Sequence, residues 1–268
     1  MASDNRIATW QIINTVVPLI ASAFALAALT NTFSLLSIFS VPILFVLIIL
    51  LMSRSFSLMH DCGHQSLFRS KKANFVAAFV LSLIHGIPHH PWSRGHAFHH
   101  KYNGNWDRYR GPSALTTKAQ YNEKDSKSKA FYRILRHPLL LFPGGFYYLI
   151  IKPRMALLMG FFECVNACSG KFLSEFKNGR IPNLFAVINH HKSSYFYTRG
   201  EVYDTIANSF LLFLLWWWIG SSIGYLHFWV LYVCVMSCSA ALMIAVFFVQ
   251  HNFINDFKYI TRIKVFLF

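Results

Sequence analysis

Between Ile7 and Ser53 the chain contains no Asp, Glu, Lys, Arg or His. Between Thr205 and Asn255 there is again no Asp, Glu, Lys or Arg, and only His227 and His251 can titrate. A bilayer core takes about 20 apolar residues per helix, so each stretch is long enough for two crossings. Polar breaks divide them at "LTNTFS" (Leu29 to Ser34) and at "IGSSIGYLHF" (Ile219 to Phe228). The pattern predicts spans near 9–30, 35–52, 206–224 and 228–249, each pair joined by a short connection. The expected fold is an all-α membrane protein: four transmembrane helices in two hairpins with a cytoplasmic helical cap.

Residues 53–205 follow a different pattern. "ANFVAAFVLSLIHGIPHHPW" (Ala73 to Trp92) is apolar but broken by Pro88 and histidines. "HPLLLFPGGFYYLIIKPRMALLMGFF" (His137 to Phe162) is broken by Pro143, Gly144, Gly145 and the run from Lys152 to Arg154. Both read as interfacial or re-entrant helices, whose backbone breaks can reach water. "KAQYNEKDSKSK" (Lys118 to Lys129) reads as a solvated connection. There is no internal repeat, and residues 1–268 read as a single membrane domain.

Composition agrees with this: 55% of the 268 residues are hydrophobic and only 13% charged, against about a quarter charged in soluble domains. The net charge of +15 raises the question of nucleic acid, but its placement answers it. Of 25 Lys and Arg, 21 lie between Arg54 and Arg199, and the hairpin tips carry none. Loops rich in Lys and Arg stay cytoplasmic, so both termini are expected inside, and nucleic acid is not expected as a partner. The near absence of ionisable groups from the spans argues against a metal transporter, whose ion path needs them. The five cysteines form no C-x-x-C pair and suggest neither a thiolate metal site nor a disulfide framework.

The histidines carry the chemistry. "HDCGH" sets His60 and His64 four residues apart; "HAFHH" sets His96, His99 and His100 within five positions. Residues at i, i+3 and i+4 share a helix face, so one turn can aim two imidazoles at one metal. His60 lies past the inner end of the second expected span, His251 past that of the fourth, and the second cluster in the inner loop between. All six are expected on one membrane side, where a single site can collect them. Spacing alone leaves zinc, copper, iron and nickel open. His85, His137, His227 and the pairs His89/His90 and His190/His191 are read as non-ligands.

These segments resemble the membrane-bound fatty acid desaturases, specifically the acyl-lipid branch with the Δ12 and ω3 enzymes. "HDCGHQSLF" (His60 to Phe68) is similar to that family's first histidine box, and "PWSRGHAFHHKYNGNWDR" (Pro91 to Arg108) to its second. "RHPLLLFPGG" (Arg136 to Gly145) is like its middle loop, and "VFFVQHNF" (Val246 to Phe253) like the end of its last span. The resemblance implies a multi-pass enzyme with both termini cytoplasmic, in the inner membrane of a bacterium or the endoplasmic reticulum of a eukaryote. It implies two iron ions and O2 as co-substrate, and insertion of a cis double bond into an acyl chain of a membrane lipid. His60, His64, His96, His99, His100 and His251 are the ligands it points to. Asp61 and Asp107 are expected to accept hydrogen bonds from ligand imidazoles. No Gly-rich dinucleotide loop or haem motif is present, so a separate electron donor, ferredoxin or cytochrome b5-like, is expected. The family's third histidine box does not occur before Phe268. The expectation is therefore a C-terminally incomplete chain whose second iron lacks ligands. The alternatives are a truncated, inactive desaturase remnant, or a related histidine-box hydroxylase or ketolase.

Overall fold

A computed structural model describes residues 3–31, 34–102, 116, 118–181 and 183–251, the side chains of 99 and 247–251 excepted. The described residues are mostly helical and contain no strand. In chain order the elements are α1 (Asn5–Leu29), α2 (Leu35–Gly63), α3 (Lys71–His85), α4 (His89–Lys101), α5 (Lys118–Glu123) and α6 (Ser126–Leu135). After a 3-10 turn at Pro138–Leu140 come α7 (Leu141–Phe146), a wide turn over Tyr147–Ile151, α8 (Lys152–Lys177), α9 (Leu184–His190), α10 (Arg199–Ile223) and α11 (Tyr225–His251).

Four of these helices, α1, α2, α10 and α11, are long and apolar enough to cross a membrane. Their starts are set locally. Asp4 accepts the Arg6 amide at 2.8 Å, and Ser34 and Ser37 cap α2 reciprocally, each satisfying amides that a helix's first turn leaves unpaired. α1 packs on α2, α2 on α3 and α11, and α10 on α11. Arg54 Nη2 donates to Asn14 Oδ1 at 2.9 Å between α2 and α1, and Thr30 Oγ1 meets His227 Nε2 at 2.7 Å. The buried core draws on α1, α2, α3 and α11, with Met59, Cys62, Ala78, Leu81 and Met236 among its most enclosed side chains.

Two helices reach further than the hydropathy pattern predicts. α2 runs to Gly63 rather than stopping near 52, because nothing between Arg54 and Cys62 breaks a helix and one face there packs into the core. α10 starts at Arg199, where Thr198 accepts the Glu201 amide at 3.3 Å. Between them, the stretch 73–92 is two helices. Gly86 ends α3 with φ +65°, a left-handed conformation that glycine adopts at little cost, and α4 starts directly after Pro88. The expected solvated connection is largely α5 and α6.

The stretch 137–162 belongs to one helical run from Pro138 to Lys177, bent 57° from α6. Pro153 lacks an N–H and crowds the preceding turn, and the run widens just before it, over Tyr147–Ile151. Arg154 Nη1 donates to the carbonyls of Leu149 at 3.4 Å and Ile150 at 3.3 Å. The Arg154 side chain thus reaches back over the widened turn to two of its carbonyls. Gly145 lets α7 lie on α11: a Cβ there would sit 2.6 Å from that of Ala240.

Candidate metal centre

The last turn of α2 carries His60 on its body and His64 at its C-cap. Gln65 then turns the chain with φ +59°, and the Ser66 amide closes back on the Asp61 carbonyl at 3.0 Å. Buried Asn74 fixes the following loop: its amide group donates to Phe68 O at 2.7 Å and its oxygen accepts from the Phe68 amide at 2.9 Å. His64 thus sits at the C-cap of α2, with the chain beyond it tied back to Asp61 and Asn74.

α4 crosses this end of α2 closely, and a glycine inside the first histidine motif allows it. A Cβ on Gly63 would lie 3.1 Å from Ser93 Oγ and 3.4 Å from Trp92 Cζ3. His96 and His100 then face His60 and His64. The Nε2 atoms of His60 and His64 are 3.2 Å apart, and those of His96 and His100 are 2.9 Å apart. Between helices, the His60 and His96 ring centres are 4.7 Å apart, and those of His64 and His100 5.1 Å. One ring nitrogen from each of the four lies within 4.8 Å of all the others.

This set fits a metal. Imidazole nitrogens bound at about 2.0–2.1 Å from one ion sit roughly 3 Å from each other, which is the spacing within each pair here. Asp61 Oδ1 lies 3.2 Å from His60 Nδ1; accepting that N–H leaves Nε2 with its lone pair toward the cluster. Burial, reinforced by the neighbouring His60 and opposed by Asp61, holds His64 below the usual histidine range, favouring the neutral form a metal needs. Four imidazole nitrogen donors with no thiolate in the set suit iron, zinc, copper or nickel.

The remaining sequence-predicted residues fall elsewhere. The side chains of His99 and His251, and the whole of Asp107, lie outside the described residues. His85 is buried against Ser55, Nε2 to Oγ 3.2 Å; His137 caps the 3-10 turn; His227 bonds Thr30. His190 Nδ1 is 2.8 Å from the Ala186 carbonyl, and His191 lies 3.7 Å from Glu163.

Two contributors escape a search for ligands. Trp92 lies flat on His96 with ring centres 4.9 Å apart and meets Phe56 edge-on at 5.3 Å. Its position, one turn before His96, is the signal that finds it. Gly63 is the other, and no spacing rule marks it.

The family model for fatty acid desaturases matches residues 36–264, a range that includes all four clustered histidines. The chain belongs to the fatty acid desaturase family. Over 105 residues it is 31% identical to a fatty acid desaturase of Bacillus subtilis, an alignment covering 38% of this chain and 30% of that protein. Over 90 residues it is 32% identical to an endoplasmic reticulum omega-3 fatty acid desaturase of Nicotiana tabacum, covering 32% and 24%. It is 32% identical over 84 residues to an sn-1 oleoyl-lipid 12-desaturase of Picosynechococcus, covering 31% and 24%. The chain thus spans less than a third of the length of these relatives. No solved structure matches it.

Proposed function

We propose that this protein is an acyl-lipid desaturase, inserting a cis double bond into a fatty acyl chain of a membrane lipid at a di-iron site. The observation that carries the reading is the meeting of four imidazoles from two helices, α2 being long enough to cross a membrane and ending at the site. Membership of the desaturase family supplies the reaction class.

In this reading His60, His64, His96 and His100 hold iron, and Asp61 orients His60 through its Nδ1–H. Bound there, iron would activate O2, the oxidant that removes two hydrogens from an unactivated acyl chain. The balance is one –CH2–CH2– unit, O2, two electrons and two protons giving –CH=CH– and two waters. By resemblance, His99 and His251 are among the residues that would hold a second iron. Trp92 and Phe56 wall the site on the core side, excluding water from one flank of His96 and His60. The two helix pairs α1–α2 and α10–α11 form transmembrane hairpins with both termini cytoplasmic, following the placement of Lys and Arg. The electrons come from a separate ferredoxin or cytochrome b5-like donor, which the basic inner face favours when acidic.

The test is expression of the chain in a host with saturated and monounsaturated lipids, followed by chromatography of fatty acid methyl esters. The reading expects a new unsaturated species that disappears with His60→Ala. A hydroxylated or keto product in its place, or an unchanged profile from metal-loaded protein, contradicts it.

A further inference from the structure

The second histidine pair sits on α4, a helix of 13 residues whose start has no cap of its own. Pro88, the residue before it, makes no side-chain cap bond, and Pro91 offers no N–H. The amide of His90 finds its acceptor 114 positions away: Asp204 Oδ2, on the first turns of α10, at 2.9 Å. A carboxylate there also complements the positive end of the helix dipole. One turn further along α4, the Arg94 guanidinium pairs with Glu201, through Nε to Oε1 and Nη2 to Oε2, the latter at 3.3 Å. Glu201 is wholly buried and also accepts the Tyr197 amide at 2.9 Å, while Arg94 lies 5.4 Å over the Tyr197 ring. Gly200 permits the approach, since a Cβ there would lie 2.8 Å from the His90 ring.

Glu201 and Asp204 are three apart and share a face of α10; His90 and Arg94 are four apart and share a face of α4. Two attachments one turn apart fix both the height and the rotation of α4. His96 lies two residues beyond Arg94, about 200° round the helix. The face gripped by α10 is therefore opposite the face that carries the imidazoles to α2.

We propose that Glu201 and Asp204 are positioning residues for the histidine site, setting α4 so that His96 and His100 meet His60 and His64. The proposal rests on the metal reading of that site, and its test separates the two. Amide hydrogen exchange is first read on the full chain in detergent without metal, for wild type, Glu201→Gln and Asp204→Asn. Faster exchange over 89–101 with α2 unchanged is expected; wild-type exchange there overturns the proposal. Cobalt(II) titration of the same proteins follows. Either variant should bind Co2+ about 10- to 100-fold more weakly, and Arg94→Lys should lose less than Arg94→Gln. Wild-type cobalt affinity in both carboxylate variants overturns the positioning role. If Glu201→Gln exchanges everywhere as an unfolded chain does, the isosteric Asp204→Asn decides. If wild type itself takes up no cobalt, the metal reading falls, and exchange over 89–101 alone decides whether α10 holds α4.

Discussion

The indole of Trp92 is stacked on the imidazole of His96, with planes 8° from parallel. The two are one helical turn apart on α4, and Phe56 of α2 packs edge-on against the indole. The indole therefore limits the rotation of His96 and links it to the core. Aromatic pairs contribute about 0.5–1.5 kcal/mol beyond area burial. Trp92→Leu is expected to weaken cobalt affinity about 2- to 10-fold, with Trp92→Phe between it and wild type. Titration of the three proteins in detergent checks this, and equal affinities would show that the stack does not orient His96.

Gly63 and Ser93 define how closely α2 and α4 approach. Gly63→Ala places a methyl group 3.1 Å from Ser93 Oγ, and overpacking of this kind costs about 1–3 kcal/mol. Weaker metal binding and a lower melting temperature are expected. Adding Ser93→Gly removes the obstacle and should restore much of both. A double variant no better than Gly63→Ala would place the effect elsewhere.

His85 makes stability depend on pH. Buried completely beside Phe56 and bonded to Ser55, it is pushed from 6.5 down to about 3 by burial, the Ser55 bond opposing. The unfolded chain then binds a proton in the range from 6.5 to about 3 that the folded chain does not. Its contribution is complete above pH 6.5 and is lost as pH falls, by about 1.4 kcal/mol per unit. His89, pushed to about 4 chiefly by burial and then by His90, adds in the same direction. Unfolding measured in detergent from pH 7 to pH 5 should show this slope, and His85→Gln should flatten it by about half.

How much of this was written in the sequence depends on the range over which the signal acts. The charge-free runs at Ile7–Ser53 and Thr205–Asn255 pointed to the four apolar helices, because exclusion of charge is a property of each residue alone. The four-residue steps at His60/His64 and His96/His100 pointed to shared faces, because helical periodicity is local. The extension of α2 to Gly63 was missed: hydropathy marks where apolar residues end, not where the helix does. The stretch from His137 to Phe162 reads in the sequence as interrupted at Pro143–Gly145 and at Lys152–Arg154; the helix passes through both, widening over Tyr147–Ile151, and is bent 57° from α6. The pairing of Arg94 with Glu201 crosses 107 positions and follows no period, so only the folded chain reveals it. The expectations for His99, Asp107 and His251 concern side chains outside the described residues.

The central claim is that His60, His64, His96 and His100 bind one metal ion together. X-ray absorption at the iron edge, on purified chain loaded with Fe2+, examines it most directly. The account predicts strong imidazole scattering around the iron, and its loss, with the helices intact by circular dichroism, in His60→Ala/His96→Ala. Iron bound without imidazole scattering, or a folded chain that retains no iron, would contradict it.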